Sequence, residues 1–253
     1  MNTIKVGDVI LGEGKPKVCV PITGRTEEEI RLHTAEALDS GADLAEWRAD
    51  GYDGVFDEES LFKTLDVLKK SLGRMPLLVT FRTKAEGGER EAGVSEYETF
   101  LKNVISSGKA DLIDVELFMG EELLREICET AHRRGIFVVA SSHDFSATPS
   151  EDEMIRRLAE MQECGADLLK LAVMPRSDAD VLRLLSATVR MRDELATRPL
   201  ITMSMGSRGM ISRLAGEVFG SALTFGCAGT ASAPGQIDAA ELRSVLDIIH
   251  KNM

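Results

Sequence analysis

The stretch IFVVASSHDFSATPSEDEMIRRLAEMQECGADLLKLAVM (136–174) holds the pattern that decides the fold. Apolar runs rich in strand-forming residues occupy 136–144 and 168–174. Between them lies a charged segment whose apolar residues recur at helical spacing. Ser150 or Thr148 can cap this helix, and acidic residues follow in its first turn. The stretch therefore predicts a strand, a helix and a second strand.

The same alternation extends along the rest of the chain. Strict alternation of strands and helices implies parallel strands joined by right-handed crossovers. Eight such units in 253 residues match the size of a (β/α)8 barrel. An open doubly wound sheet is the alternative, but it predicts a G-x-G-x-x-G motif after an early strand, and the sequence has none. The eight predicted strands lie at 18–22, 44–50, 76–82, 112–117, 136–144, 168–174, 200–205 and 223–227.

The prediction is thus an α/β protein made of a single (β/α)8 TIM barrel domain spanning 1–253. The first 17 residues contain a glycine-flanked turn, LGEGKP (11–16), and are expected to form a β-hairpin that closes the barrel floor. No linker, low-complexity segment or short repeat is evident in the sequence.

The amino-acid composition argues against several classes of protein. A net charge of −12 argues against a general nucleic-acid or anionic-membrane binder. The four cysteines show no C-x-x-C spacing, which predicts reduced thiols and neither zinc nor disulfides. The N-terminus lacks a signal-peptide pattern, and no apolar run approaches the ~20 residues that span a bilayer. We therefore expect a soluble, cytoplasmic protein.

Ionisable residues interrupt the later halves of five consecutive predicted strands. Barrel strands are buried on both faces, and their C-terminal ends build active sites. The charges should therefore converge on one mouth of the barrel. Glu46 and Arg48 share a strand face and could instead form a structural ion pair. Asp114 and Glu116 are better explained as structural residues that cap neighbouring loops or pair with them. The full set is Glu46, Arg48, Arg82, Asp114, Glu116, His143 and Lys170.

Lys170 is the hardest of these residues to explain structurally, because its sequence neighbours are apolar. Desolvation and a nearby cation, for which Arg48 is the candidate, would keep part of its amine neutral. A neutral amine attacks carbonyl groups and forms a Schiff base. His143 could then remove the proton on the carbon beside the imine. Chemistry alone therefore predicts a Schiff-base lyase or aldolase.

Other kinds of site remain possible at this point. A metal site would need several histidines or carboxylates in a ligand array, and only four histidines are present. A phosphosugar enzyme would use glycine-rich loops after the last two strands, and MGSRGM (205–210) and CAGTASAPGQ (227–236) could supply them.

Six longer motifs point to a known family. They are EWRAD (46–50), TFRTKAEGGE (80–89), SSHDF (141–145), LLKLAVMP (168–175), ITMSMGSRGMISRLAGEVFGSALTFG (201–226) and ASAPGQI (231–237). With them the chain resembles the type I 3-dehydroquinate dehydratases over essentially its whole length. The resemblance implies a cofactor-free and metal-free syn elimination of water from 3-dehydroquinate, giving 3-dehydroshikimate. It also implies a homodimer in the shikimate pathway of aromatic amino acid biosynthesis, with a small-molecule substrate as its partner.

The resemblance assigns roles to individual residues. Lys170 matches the imine-forming lysine, His143 the general acid and base, and Glu86 the carboxylate paired with that histidine. Pro21 stands where some members carry a serine that touches the substrate. The residues that match substrate-binding positions are Glu46, Arg48, Arg82, Arg213, which would bind the substrate carboxylate, Ser232 and Gln236 on a closing loop, and apolar Met203 and Phe225.

The residues alone would not have selected all of these. Arg213 would otherwise be predicted as a solvated helix residue, Ser232 and Gln236 as plain loop, and Met203 as core. Glu86 has no advantage over Glu89 in the sequence. A Schiff-base aldolase and a non-catalytic barrel that binds sugar acids remain the rival functions.

Overall fold

A closed parallel barrel forms the body of the computed structural model, which describes residues 2–229 and 235–253. Within those ranges β1 (Ile4–Val6) and β2 (Val9–Leu11) pair antiparallel, and the other eight strands form one parallel sheet. β10 pairs with β3, and a bridge from Leu200 to Ser221 joins β9 to the start of β10. The predicted (β/α)8 barrel is therefore confirmed. Its strands are β3 (Lys17–Ile22), β4 (Leu44–Arg48), β5 (Leu77–Thr80), β6 (Leu112–Glu116), β7 (Phe137–Asp144), β8 (Leu168–Val173), β9 (Leu200–Ser204) and β10 (Leu223–Phe225).

Helices follow each barrel strand and cover the outside of the sheet. The helix after β7 begins as the sequence predicts, with Ser150 as its cap, accepting the Glu153 N–H at 3.3 Å. Thr148, the other candidate, donates to the Met174 carbonyl at 3.0 Å instead. None of the helices in the described part is long and apolar enough to cross a membrane. The helices are α1 (Glu27–Asp39), α2 (Glu58–Leu72), α3 (Val94–Ser107), α4 (Glu121–His132), α5 (Glu151–Glu163), α6 (Asp178–Arg190), α7 (Met210–Leu214), α8 (Gly216–Phe219) and α9 (Ala239–Lys251).

The N-terminal hairpin is present, but its turn is not the predicted one. The two strands join at Gly7 and Asp8, where Gly7 has a φ of +58°. A two-residue turn of this kind matches the twist of the strands that it joins. The segment 11–16 instead leads from β2 into β3. Ile4, Val6 and Leu11 pack in one apolar cluster with the first inward-facing residues of the barrel strands, so the hairpin covers that end of the barrel.

Alternation along the strands divides the barrel interior into levels, because residues two apart face the same side. The lowest level is apolar and packs with the hairpin; it includes Leu44, Leu78, Leu112, Val139 and Leu168. Two residues further along these same strands stand Glu46, Thr80, Asp114, Ser141 and Lys170. All five of these polar residues are buried. The barrel interior thus changes from an apolar floor to a polar upper half over two residues along each strand.

A short repeat that the sequence analysis overlooked ties the strands at the floor. Three similar segments each place an aspartate just before a strand, and together they precede β4, β6 and β8. They are GADL (41–44), KADL (109–112) and GADL (165–168). Each aspartate accepts the backbone N–H of a residue in the preceding strand and contacts a basic side chain. The pairs are Asp43 with Val18 at 2.7 Å and Arg243 at 3.1 Å, Asp111 with Leu77 at 2.8 Å and Lys69 at 2.6 Å, and Asp167 with Val138 at 2.9 Å and His132 at 2.7 Å.

Candidate functional site

A cavity opens at the C-terminal ends of the barrel strands. Its empty volume, counting the open mouth, is about 690 Å³. Ten of the eleven residues assigned from the resemblance line it, and the eleventh, Ser232, lies outside the described residues. The lining consists of Glu46, Arg48, Thr80, Arg82, Glu86, Gly87, His143, Phe145, Lys170, Ala172, Met203, Met205, Arg213, Phe225 and Gln236.

The Lys170 amine lies at the inner end of this cavity with only 4% of the residue exposed. Its Nζ is 3.2 Å from Asp114 Oδ2 and 3.5 Å from Glu46 Oε1. It also stands 4.6 Å from the centre of the Phe225 ring, within the range of a cation–π contact. The charged groups recorded in contact with the amine, among the described residues, are thus carboxylates.

Arg48 does not take the place that the sequence predicted for it. Its Nε and Nη2 donate to the two oxygens of Asp50, both at 2.8 Å, in a bidentate pair. Glu46 accepts instead from Thr80 Oγ1 at 2.9 Å and contacts Lys170. The alternative interpretation, a structural ion pair between Glu46 and Arg48, is therefore not what forms, because each side chain has a closer partner of its own.

Arg82 organises the polar half of the barrel interior. Its guanidinium is buried and donates to residues on three elements: Nη2 to Asp114 Oδ1 at 2.7 Å, and Nη1 to Glu116 Oε1 at 2.8 Å, Ser141 Oγ at 3.0 Å and Glu86 Oε2 at 3.2 Å. A buried charge is tolerated when it is paired and hydrogen-bonded in this way. The three carboxylates raise the pKa of Arg82 further above its ordinary range against the effect of burial.

The two acids of β6 turn out to have different roles. Glu116 accepts from the Thr83 backbone N–H at 2.8 Å and from its hydroxyl at 2.7 Å, so it fixes the loop after β5, as expected of a structural residue. Asp114 is buried beside the Lys170 amine, so interpreting it as a capping or loop residue was wrong. The sequence signal that was available is its spacing: it lies two residues from Glu116, on the same strand face.

His143 and Glu86 form a buried pair above the lysine. His143 Nδ1 lies 2.8 Å from Glu86 Oε2. Burial, with the nearby cations of Arg82, Lys170 and Arg48, lowers the pKa of His143 well below its ordinary value. Burial raises the pKa of Glu86 to about 8, although Arg82 opposes the shift. Near neutral pH the pair therefore holds one shared proton rather than forming an ion pair.

Loss of that shared proton decides what the histidine can do. Once it has left, the remaining imidazole proton lies on Nδ1, facing the ionised Glu86, and Nε2 keeps its lone pair. A neutral imidazole in the cavity wall can accept a proton from a bound molecule.

A tight turn aims Glu86 into the cavity. Glu86 ends a short turn, Lys84–Glu86, and Gly87 follows in a left-handed conformation with φ +86°. A side chain at Gly87 would collide with the Phe145 ring, because a Cβ there would lie 2.3 Å from Phe145 Cε2. Glu86 is 2% exposed, whereas Glu89 lies on the surface. The left-handed turn at Gly87 thus leaves Glu86 buried in the cavity and Glu89 on the surface, a difference that the residue pattern did not predict.

Arg213 is a buried residue, not the solvated one that its helix pattern predicts. It lies on α7 with 2% exposure, and burial lowers the pKa of its guanidinium to about 10. Nη1 contacts the Phe225 carbonyl at 3.4 Å and Met203 Sδ at 3.7 Å. Met203, predicted as core, is buried and lines the cavity as well. A guanidinium in this wall can bind a carboxylate through two parallel hydrogen bonds.

The site contains acids, bases and cations but no metal-like array. Over residues 2–229 and 235–253, no group of three or more His, Cys, Asp or Glu side chains could hold a metal ion. The ionisable groups that line the cavity are an amine, an imidazole, carboxylates and guanidinium groups.

Comparison with known proteins gives a consistent result. The family model for type I 3-dehydroquinase matches residues 18–253. A 3-dehydroquinate dehydratase from Syntrophotalea carbinolica is 51% identical over 250 residues, covering 99% of each chain, and one from Bacillus subtilis is 48% identical over 100% of this chain and 99% of its own. A solved type I 3-dehydroquinate dehydratase from Clostridium difficile superimposes with a TM-score of 0.96 at 46% identity, covering 100% of this chain and 99% of its own. The chain belongs to the type I 3-dehydroquinase family.

Proposed function

We propose that Lys170 is the residue through which this chain, a hydro-lyase of the shikimate pathway, converts 3-dehydroquinate to 3-dehydroshikimate. The observation that carries the proposal is the buried amine at the inner end of the cavity, one strand away from His143. In the strand register Ser141 pairs with Lys170, and His143 stands one level higher beside Ala172. A ketone bound over Lys170 would thus have its neighbouring carbon toward the imidazole.

The reaction begins at the amine. The Lys170 ammonium gives up one proton and its neutral amine attacks the substrate ketone to form a carbinolamine. Return of that proton to the carbinolamine hydroxyl lets it leave as water, and a protonated imine remains. The positive nitrogen withdraws electrons and acidifies the neighbouring C–H bond. His143, neutral and held by Glu86, takes this proton, and the electron pair moves to the nitrogen as an enamine. The same proton then goes to the departing hydroxyl, which leaves as water while the enamine electron pair moves back to restore a protonated imine. Hydrolysis of this imine by one water breaks the C–N bond and releases the enone product and Lys170.

The remaining cavity residues would orient the substrate. Arg213 is proposed to bind its carboxylate, since its guanidinium is buried and lines the cavity. Glu46, Arg48 and Arg82 are proposed to hold hydroxyl groups, with Met203 and Phe225 as apolar walls. Gln236, which lines the cavity, and Ser232 are proposed to cover the bound substrate. These roles rest on the family resemblance together with the shared cavity.

Covalent chemistry has support from a relative. The solved Clostridium difficile structure is described as a type I 3-dehydroquinate dehydratase with covalent modified comenic acid. We propose further that residues 1–253 act as a single domain, as a homodimer and in the cytoplasm. Family resemblance supports the dimer, and the sequence composition supports the location. Sedimentation of the full chain at micromolar concentration tests the dimer.

Reduction of the imine tests the proposed function. Borohydride should trap 3-dehydroquinate on Lys170 as a stable secondary amine, which mass spectrometry of peptides identifies. Lys170→Arg keeps the charge but should give neither an adduct nor turnover. An absence of adduct on the unaltered chain would refute the mechanism.

Product absorbance separates the rivals, because dehydration yields a conjugated enone and aldol cleavage does not. A sugar-acid-binding barrel would bind the substrate without any change in absorbance.

A further inference from the structure

Asp114 occupies a position that the proposed mechanism does not use. It lies on β6 with none of its surface exposed, and it is not among the residues that line the cavity. Its Oδ2 is 3.2 Å from Lys170 Nζ, the shorter of the two carboxylate contacts of that amine. A buried acid placed this way can reach the chemistry through the lysine nitrogen and not through direct contact with the substrate.

Two donors fix the other oxygen of this carboxylate. Asp114 Oδ1 accepts from Ser141 Oγ at 2.6 Å and from Arg82 Nη2 at 2.7 Å. The second oxygen of Asp114, Oδ2, is thereby directed at Lys170 Nζ inside the barrel. These donors and the Lys170 cation lower the pKa of Asp114 against the effect of burial, so it stays ionised.

The Lys170 nitrogen carries the same charge in the resting ammonium and in the protonated imine. A lysine ammonium and a ketone together give a protonated imine and one water, so the nitrogen is positive before and after the bond forms. Both forms carry at least one N–H. A fixed carboxylate at hydrogen-bond distance therefore matches the resting amine and the imine alike, without any group having to move.

We propose that Asp114 is the counter-ion of the Lys170 imine: it positions Nζ in the resting enzyme and accepts the N–H of the protonated imine. The proposal rests on the proposed function for the imine, but not for the resting amine. Glu46 differs from Asp114 because it lines the cavity, is 3.5 Å from Nζ and accepts from Thr80. Glu46 thus faces bound substrate, while Asp114 faces the nitrogen from behind it.

A matched pair of variants on one strand tests the assignment. Asp114→Asn removes the carboxylate at Nζ. Glu116→Gln removes another buried carboxylate that also binds Arg82 but holds Thr83 rather than Lys170. The first measurement is the rate of Lys170 carbamylation by cyanate across pH, followed by peptide mass spectrometry, because cyanate modifies neutral amines. The second is the yield of borohydride-trapped adduct with 3-dehydroquinate below saturation.

In Asp114→Asn, carbamylation at pH 7 should be about tenfold faster, because loss of an opposite charge shifts the amine toward its neutral form. The adduct yield should change less than the carbamylation rate, because the carboxylate stabilises a positive nitrogen both before and after the imine forms. A change in adduct yield larger than the change in carbamylation would contradict this matched role. Glu116→Gln should leave both quantities within about twofold of the unaltered chain, since its carboxylate does not contact Nζ. Equal changes in the two variants, or no change in Asp114→Asn, would overturn the proposal.

Ser141→Ala provides a milder perturbation if Asp114→Asn does not fold. It deletes one of the two hydrogen bonds that hold Oδ1, and carbamylation should rise by about twofold to threefold. An unchanged carbamylation rate in that variant would count against the proposal. The two measurements also separate the proposals: the cyanate rates test Asp114 without substrate, whereas failure of the unaltered chain to form any adduct would refute the proposed function instead.

Discussion

Replacing Gly87 by alanine should damage the site far more than it damages the fold. Gly87 has a φ of +86°, a conformation that L side chains rarely adopt. An added Cβ would lie 2.3 Å from Phe145 Cε2 and 2.5 Å from Cζ, against ~3.5–4.0 Å for ordinary carbon contacts. The ring or the turn must therefore move by about 1 Å or more. Phe145 is 40% exposed, so its ring can turn toward solvent at little cost.

The loss of stability should then come mostly from the backbone, about 1–2 kcal/mol. Gly108→Ala is the matched control, because Gly108 has a φ of +63° and an added Cβ there meets nothing within 4 Å. It ends α3 and does not line the cavity. Activity should separate the two variants. Relaxation of the left-handed φ at Gly87 should move the turn that carries Glu86, and a shift of about 1 Å in this residue should lower kcat by about 100-fold in Gly87→Ala. Gly108→Ala should keep its kcat.

Two measurements decide the outcome. Enone absorbance gives kcat and KM, and urea unfolding gives the free energy of unfolding. Retention of kcat within twofold in Gly87→Ala would refute the argument that this turn positions the glutamate. An equal loss of kcat in both variants would show instead that destabilisation alone explains the effect.

Two further predictions concern stability. Folding raises the pKa of Glu86 from 4.5 to about 8 and lowers that of His143 below 6.5. The two shifts change the free energy of unfolding in opposite directions as pH rises, so they offset one another below about pH 6.5. Between about pH 6.5 and 8 the folded pair holds one proton that the unfolded chain has released, and the free energy of unfolding should fall by about 2 kcal/mol as pH rises. Urea unfolding of Glu86→Gln should lack this fall; identical pH slopes would contradict the shared proton. Asp111→Asn should cost about 1–2 kcal/mol, because its carboxylate holds the Leu77 N–H at 2.8 Å. Asp8→Asn, which breaks an exposed ion pair with Arg74, should lower the free energy of unfolding by under about 1 kcal/mol. Comparable losses in Asp111→Asn and Asp8→Asn would show that the Asp111 hydrogen bond contributes no more than a surface ion pair.

The strand pattern was predictable because its signal is local. Each barrel strand is a short apolar run between helical segments, and each of the eight predicted runs overlaps a strand of the sheet. The boundaries were less accurate: β4 ends at Arg48 rather than at residue 50, because a short turn begins at Ala49. The hairpin turn was misplaced for a similar reason, since several glycines near the N-terminus were candidates for the left-handed conformation.

The partners of the charged residues were much harder to predict. Arg48 was the candidate for a cation beside Lys170, yet Asp50, two residues away, binds it. Asp114 appeared to be a structural residue, and the helix pattern without the family resemblance would have left Arg213 exposed. Their true surroundings come from residues far apart in the chain: Asp114 contacts Lys170 across 56 positions, and Arg82 reaches Ser141 across 59.

The sequence by itself determined the barrel, the end of the barrel at which the charges meet, and the lysine and histidine that do not fit a plain core. These follow from periodicity and from the cost of burying charge, which act within a few residues. Only the tertiary structure decided which carboxylate holds the amine, how the turn at Gly87 directs Glu86 to the histidine and how deeply Arg213 is buried. Closure of the sheet brings side chains from separate strands within about 3 Å of one another, and at that distance hydrogen-bond geometry and desolvation determine their protonation and their partners.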